Sequence, residues 1–198
     1  MAIDIDTIKR LKDLTGVGLT DAKVALEEAK GDFDKALEAM RKKGLTKADK
    51  RGEREARAGL VWNYNHDCRR GCSGEVNCET DFVARNEIFT DLVKDVAMHI
   101  AASNPAFVSA DDIPADERAK VEAEFKEKAL NEGKPADMVD KIVAGQVQKH
   151  FAERCLLDQP FIKNPDQTVG EFVKEHNARL GENIVVRRFA RIALGEVA

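Results

Sequence analysis

Residues 41–57, RKKGLTKADKRGEREAR, break the apolar periodicity of the chain and divide it in two. The stretch holds eight bases and three acids, and Leu45 is its one large apolar residue. A segment with no apolar stripe has nothing to bury, so it reads as the end of a helix running into a solvated linker at 46–57. Its positive charge fits a solvated segment better than a set of phosphate contacts. The chain must therefore fold as a small unit over residues 1–45 and a larger one over 58–198.

The small unit carries three helical patterns. Ile5, Ile8 and Leu11 recur at helical spacing, and GVG at 16–18 then breaks the chain. Leu19, Ala22, Leu26 and Ala29 make a second stripe, closed by Gly31. Phe33, Leu37 and Met40 make a third, with Asp32 placed to cap its N-terminus and Gly44 beyond it. Three helices in so short a segment form a thin core near the lower size limit for independent folding.

The larger unit mixes strands and helices. GLVWNYNH and GEVNCETDFV read as two strands of a hairpin, joined by a turn around DCRRGCS. Asn86 is placed to cap a helix with Ile88, Leu92, Val96 and Ile100 on one face, ended by Ser103, Asn104 and Pro105. A helical hairpin is expected over 115–156, from Ala115 to Glu132 and from Pro135 to Leu156, broken at NEGKP. The second helix carries the stripe Val139, Val143, Val147 and Phe151, widened by Met138 and Ile142, which must bury against something. TVGE at 168–171 is a capping box opening a short helix that Gly181 ends. NIVVRRFARIAL then reads as a strand that pairs with the earlier hairpin. The expected class is α+β: a three-helix domain, then a core with a small three-stranded antiparallel sheet, covering helices and the helical hairpin.

Composition excludes several functions. No apolar run approaches the length needed to cross a bilayer. MAIDIDTIKR carries acids and no apolar block, which is not the pattern of a signal peptide, so the four cysteines are expected as reduced thiols in the cytoplasm. A net charge of −4 argues against a dedicated nucleic-acid binder. There is no GxxxxGK[ST], GxGxxG, GxSxG or HExxH, and no histidine has an evident catalytic partner, so neither an enzyme nor a cofactor is expected.

His66, Cys68, Cys72 and Cys78 are the one cluster with metal-ligand chemistry, but H-x-C-x3-C-x5-C lacks the paired CxxC spacing of structural zinc sites. A zinc module there is kept as an alternative, and ordinary hairpin cysteines are preferred. Val24 lies off its helical stripe beside Lys23 and is expected to be exposed, either as a lone surface residue without further meaning or as the mark of a helix face that meets another protein. Phe82, in VNCETDFVARN, has two readings. It is a core residue in phase with Phe89, or a probe meant for another surface; the residues alone favour the core.

Several segments in order, TGVGLTDAKVALEEAKGDFDKALEAMRKKG, NCETDFVARNEIF, MHIAASNPAF, ALNEGKP, CLLDQPFIKN and GENIVVRRFARIALGE, resemble the bacterial elongation factor Ts family over nearly the whole chain. The resemblance implies a ubiquitin-associated-like N-terminal domain, a linker, and an α+β core with a protruding helical hairpin. It also implies a guanine-nucleotide exchange factor for elongation factor Tu that loosens GDP without making or breaking a bond. By the same resemblance, Thr80, Asp81, Phe82 and Val83 enter the partner's GTPase domain and dislodge its magnesium. Lys23 and Val24 touch that domain, and His99 and Ile162 contact the partner's third domain. A homodimer is implied too, because the chain has the length of the short form, with one copy of a core unit that longer members carry twice. A ubiquitin-type adapter built on residues 1–45 is the remaining alternative.

One stretch departs from the family. HDCRRGCSGEVNC stands where a glycine-rich turn and an apolar strand are usual, with Cys72, Ser73 and Gly74 replacing apolar residues. A weakened strand is expected over 67–74.

Overall fold

A computed structural model describes residues 4–15, 18–40, 52, 54–132 and 136–196. Of the expected breaks, Gly16 and Val17, most of the 46–57 linker, and Gly133 to Pro135 lie outside the described residues.

Three helices come first: α1 (Ile5–Thr15), α2 (Leu19–Glu28) and α3 (33–40). Their core is Ile8, Leu11, Ala22, Ala25, Leu26, Ala36 and Met40, with Phe33 and Leu37 half-buried around it. The expected stripes included Ile5 and Leu19, but both are largely exposed. Each is the first residue of its helix. Asp32 accepts from the Lys35 amide at 3.1 Å and so caps α3. Gly31, at φ 85°, donates its N–H to the Leu26 carbonyl and ends α2.

Strands β1 (Ala58–His66), β2 (Arg70–Cys78) and β5 (Val185–Ala193) form a three-stranded antiparallel sheet in the order β1-β2-β5. The hairpin turn is tighter than expected. Asp67 and Cys68 both take positive φ, as a type I′ turn requires, and Arg69 N–H closes on the His66 carbonyl at 3.0 Å. Ser73 and Gly74 therefore lie inside β2, paired on both sides. The expected weak segment is the middle of the central strand. Cys72 takes a core position there, and Ser73 donates to Asn63 Oδ1 across the strands at 2.6 Å.

One face of the sheet is covered by α5 (Glu87–Ser103), whose Phe89, Leu92, Val93, Val96 and Ile100 are buried. Leu60, Trp62 and Tyr64 of β1 and Val76, Cys78 and Val186 face it. Asn86 caps α5 by accepting from Ile88 N–H, and Asn104, in the left-handed region, ends it.

The helical hairpin is α6 (Ala115–Asn131) and α7 (Ala136–Ala152). Ala129, Val139 and Val143 pack along it with Phe125 and Val147. Phe151 joins Ile113 and Cys155 at its base. α7 stops at Ala152, short of the expected Leu156, because Leu156 N–H bonds the Phe107 carbonyl at 2.8 Å instead of continuing the helix. Strands β3 (Pro160–Phe161) and β4 (Asn164–Thr168) form a second, short hairpin. Helix α8 (Val169–Leu180) follows, opened by the Thr168–Glu171 capping box and closed by Gly181 at φ 77°.

Candidate functional site

After β2 the chain makes one helical turn, α4 (Asp81–Ala84), capped by Thr80, whose hydroxyl oxygen accepts from Val83 N–H at 3.4 Å. Successive residues of a helix point about 100° apart, so one turn has an inner and an outer side. Ala84 is buried in the main core and Val83 packs against it. Phe82 points the other way, with 84% of its surface exposed. Asp81 is exposed and pairs with Arg85 at 3.0 Å, a contact that adds little in solvent.

The turn is gripped from below and from the side. The Cys78 thiol, fully buried, donates to the Thr80 carbonyl at 3.2 Å. Burial, together with the Glu182 charge, pushes its pKa up to about 11, so it stays a donor. Glu182, just beyond α8, supplies the lateral grip. Its Oε2 accepts from the Glu79 and Thr80 amides at 3.0 and 3.1 Å, and its Oε1 accepts from the Thr80 hydroxyl at 2.5 Å. Asn183 N–H donates back to Glu79 Oε1 at 2.7 Å. The Asn183 side-chain amide reaches the Arg54 and Gly52 carbonyls, which ties the chain entering β1 to the same point.

A second surface centres on Ile162, exposed at the β3–β4 turn. It borders a hollow of about 150 Å³ with Tyr64, His66 and Met98. His99 was expected at this contact and is instead completely buried. It lies on the core side of α5, between Ile162 and Gln159, and has no surface to offer a partner. Its Nδ1 accepts the Ile162 N–H at 3.2 Å and its Nε2 meets Gln159 Oε1 at 2.9 Å, so the neutral Nε2–H tautomer satisfies both. Gln159 in turn donates to the Glu153 carbonyl at 2.7 Å. Burial holds the imidazole pKa below its ordinary value, against the opposing pull of Gln159. His99 therefore holds the backbone that displays Ile162.

Lys23 and Val24 lie on α2 among the N-terminal helices, both exposed, with Lys23 3.8 Å from Glu27. The zinc alternative is not supported by the arrangement of its residues. Cys72 and Cys78 take core positions, Cys68 sits exposed on the turn, and no group of three His, Cys, Asp or Glu side chains able to hold a metal is formed among the described residues. Glu182, Asn183 and Gln159 were not anticipated. Each acts over a long stretch of chain, and their side chains carry no local signal beyond the glycine stop that precedes Glu182.

The described residues thus form an α+β core with a helix-backed three-stranded antiparallel sheet, three N-terminal helices and an aromatic held outward on a clamped turn. The family model described as Elongation factor TS matches residues 90–196. Elongation factor Ts of Moorella thermoacetica is 51% identical over 190 residues, covering 96% of this chain and 94% of that protein. Elongation factor Ts of Thermodesulfovibrio yellowstonii is 46% identical over 99% of this chain and 98% of its own length. That of Caldanaerobacter subterraneus is 47% identical, with 98% coverage of each. The chain belongs to the elongation factor Ts family. Among the described residues, no helix is long and apolar enough to cross a membrane.

Proposed function

We propose that this protein promotes release of GDP from elongation factor Tu in the cytoplasm by pressing Phe82, with Asp81 beside it, against the surroundings of the partner's magnesium ion. The observation that carries the reading is the 84% exposure of Phe82 on a turn whose neighbours, Thr80 and Val83, are held by the core and by Glu182. Ordering the backbone beforehand removes a cost that a floppy loop would meet on binding.

Burying one phenylalanine contributes about 1.5–3 kcal/mol, too little to expel a tightly held nucleotide directly. It suffices to bias a two-state element if the receiving pocket opens only when the metal's surroundings are disturbed. Asp81 adds a carboxylate near that cation. Magnesium offsets the diphosphate charge, so its departure weakens GDP. The exposed Lys23, Val24 and Ile162 supply further partner contacts, with His99 acting through Ile162. Coupling is reciprocal: a factor that weakens GDP is itself weakened by GDP or GTP. No covalent step takes part, so this is exchange, not enzymatic chemistry.

A homodimer belongs to the same reading. Val61 and Ile192, 65% and 79% exposed on the open face of the sheet, are apolar residues that two copies would cover; light scattering reads the mass. The exchange reading is tested by following release of a fluorescent GDP analogue from elongation factor Tu. Phe82→Ala is expected to abolish most of the acceleration, and acceleration equal to that of the unaltered protein would refute it.

A further inference from the structure

We infer that Glu182 is a positioning residue for exchange: through Thr80 it sets the direction in which Phe82 is presented. The inference rests on the exchange reading above and assigns a part to a residue outside the Thr80–Val83 segment.

The geometry is specific. A helix N-terminus leaves amides without partners, and Thr80, as the capping residue of α4, satisfies one of them at Val83. Its own N–H and that of Glu79 point out of the turn toward α8. Both end on one oxygen of Glu182, while the other oxygen takes the Thr80 hydroxyl proton. That last bond fixes the rotation of the hydroxyl: its hydrogen faces Glu182, so its lone pair faces the Val83 amide. One carboxylate thus orients both the backbone entering the turn and the cap that holds it closed. Charge-assisted bonds of this kind are shorter and stronger than neutral ones. The return bond from Asn183 to Glu79 closes a ring around the junction.

Within α4, only the packing of Val83 and Ala84 against the core bears on the direction of Phe82. The helix is four residues long, its Asp81–Arg85 pair is exposed, and the Phe82 ring has little of its own chain to lean on. The inner grip of Val83, Ala84 and Cys78 fixes the depth of the turn, and Glu182 fixes its rotation. Without it the turn stays attached, and Phe82 samples directions that miss the partner pocket.

The test is a double-mutant cycle in the full chain with elongation factor Tu·GDP carrying a fluorescent GDP analogue. Glu182→Ala should slow exchange at sub-saturating factor by roughly ten- to a hundredfold, the scale of lost hydrogen bonds to a charged group. In a Phe82→Ala background the same change should slow exchange by less than about twofold, because the group it directs is gone. The fall in thermal midpoint should be equal in both backgrounds, which separates direction from stability. Glu182→Gln keeps an oxygen for the two amides but loses the acceptor for the Thr80 hydroxyl; it should fall between, and it carries the test if the alanine variant fails to fold. Glu182 variants that exchange at the unaltered rate, or that slow the Phe82→Ala protein as much as the unaltered one, overturn the inference and leave the exchange reading standing. Unaltered exchange by Phe82→Ala overturns both.

Discussion

The backbone N–H of Ile162 ends on Nδ1 of His99, 3.2 Å away inside the core, so an exposed turn is held by an imidazole that no solvent reaches. That bond exists only while Nδ1 is unprotonated, since a second ring proton would face the amide proton. Burial lowers the His99 pKa from its ordinary 6.5, and burial also lowers that of His176, despite the bond between its Nδ1 and the Phe172 carbonyl.

The folded chain therefore resists protons that the unfolded chain accepts near pH 6.5. The stability these groups contribute is complete above that value and is lost as pH falls through it toward the folded-state pKa. Urea midpoints recorded from about pH 7.5 down to pH 5 should decline, and His99→Gln should flatten the decline. A pH slope unchanged in that variant would remove His99 from the account.

Phe82 and Phe89 lie seven positions apart and should behave oppositely. Phe82 is 84% exposed and Phe89 is fully buried. Phe82→Ala should shift unfolding free energy by no more than about 0.5 kcal/mol, as surface changes do. Phe89→Ala should cost about 3–5 kcal/mol by opening a cavity between α5 and the sheet. Chemical denaturation of both variants distinguishes the outward reading of Phe82 from a core one.

The thiols should divide by position. Cys72 and Cys78 are buried, with pKa pushed up to about 11 by burial, and burial raises Cys155 as well. Cys68 is exposed on the hairpin turn. A thiol reagent at about pH 8 should label the native protein quickly at Cys68 alone and all four cysteines in denaturant, with the adduct located by mass spectrometry.

Gly59 and Gly145 should also differ in sign. Gly59 has φ 146°, and an added Cβ would lie 2.2 Å from the Val76 carbonyl oxygen of the neighbouring strand. Gly59→Ala should destabilise by about 2 kcal/mol or more, since neither backbone can yield without breaking the pairing. Gly145 lies within α7 with nothing near a built Cβ, so Gly145→Ala should stabilise by about 0.5–1 kcal/mol. Thermal melts of the two variants check both.

The features legible in the sequence were those decided within a few residues. Asp32, Asn86 and the Thr168–Glu171 box cap their helices as their spacing indicates, because a cap depends only on the next turn. The buried face of α5 followed in part from its period: Leu92, Val96 and Ile100 are buried as spaced, whereas Ile88 is half-buried and the core takes Phe89 and Val93 as well. The stretch Cys72–Gly74 was read as weak from side chains alone, yet hydrogen bonds to β1 and β5 on both sides hold it in the sheet. Tertiary pairing overrides intrinsic strand preference there. The exposure of Phe82 was legible only through resemblance. His99 was legible as a conspicuous residue but not as a buried one, because its partners Gln159 and Ile162 stand about sixty positions away. Glu182 was invisible for the same reason.

Thr80 and Glu182 are separated by 102 positions. During synthesis the turn emerges from the ribosome long before the carboxylate that orients it. A nascent chain that has formed the β1–β2 hairpin still lacks both β5 and the grip on its aromatic tip. Loop closure over such a span comes late in folding. A chain that ends before residue 182 would carry the Thr80–Val83 turn without the carboxylate that holds its entry.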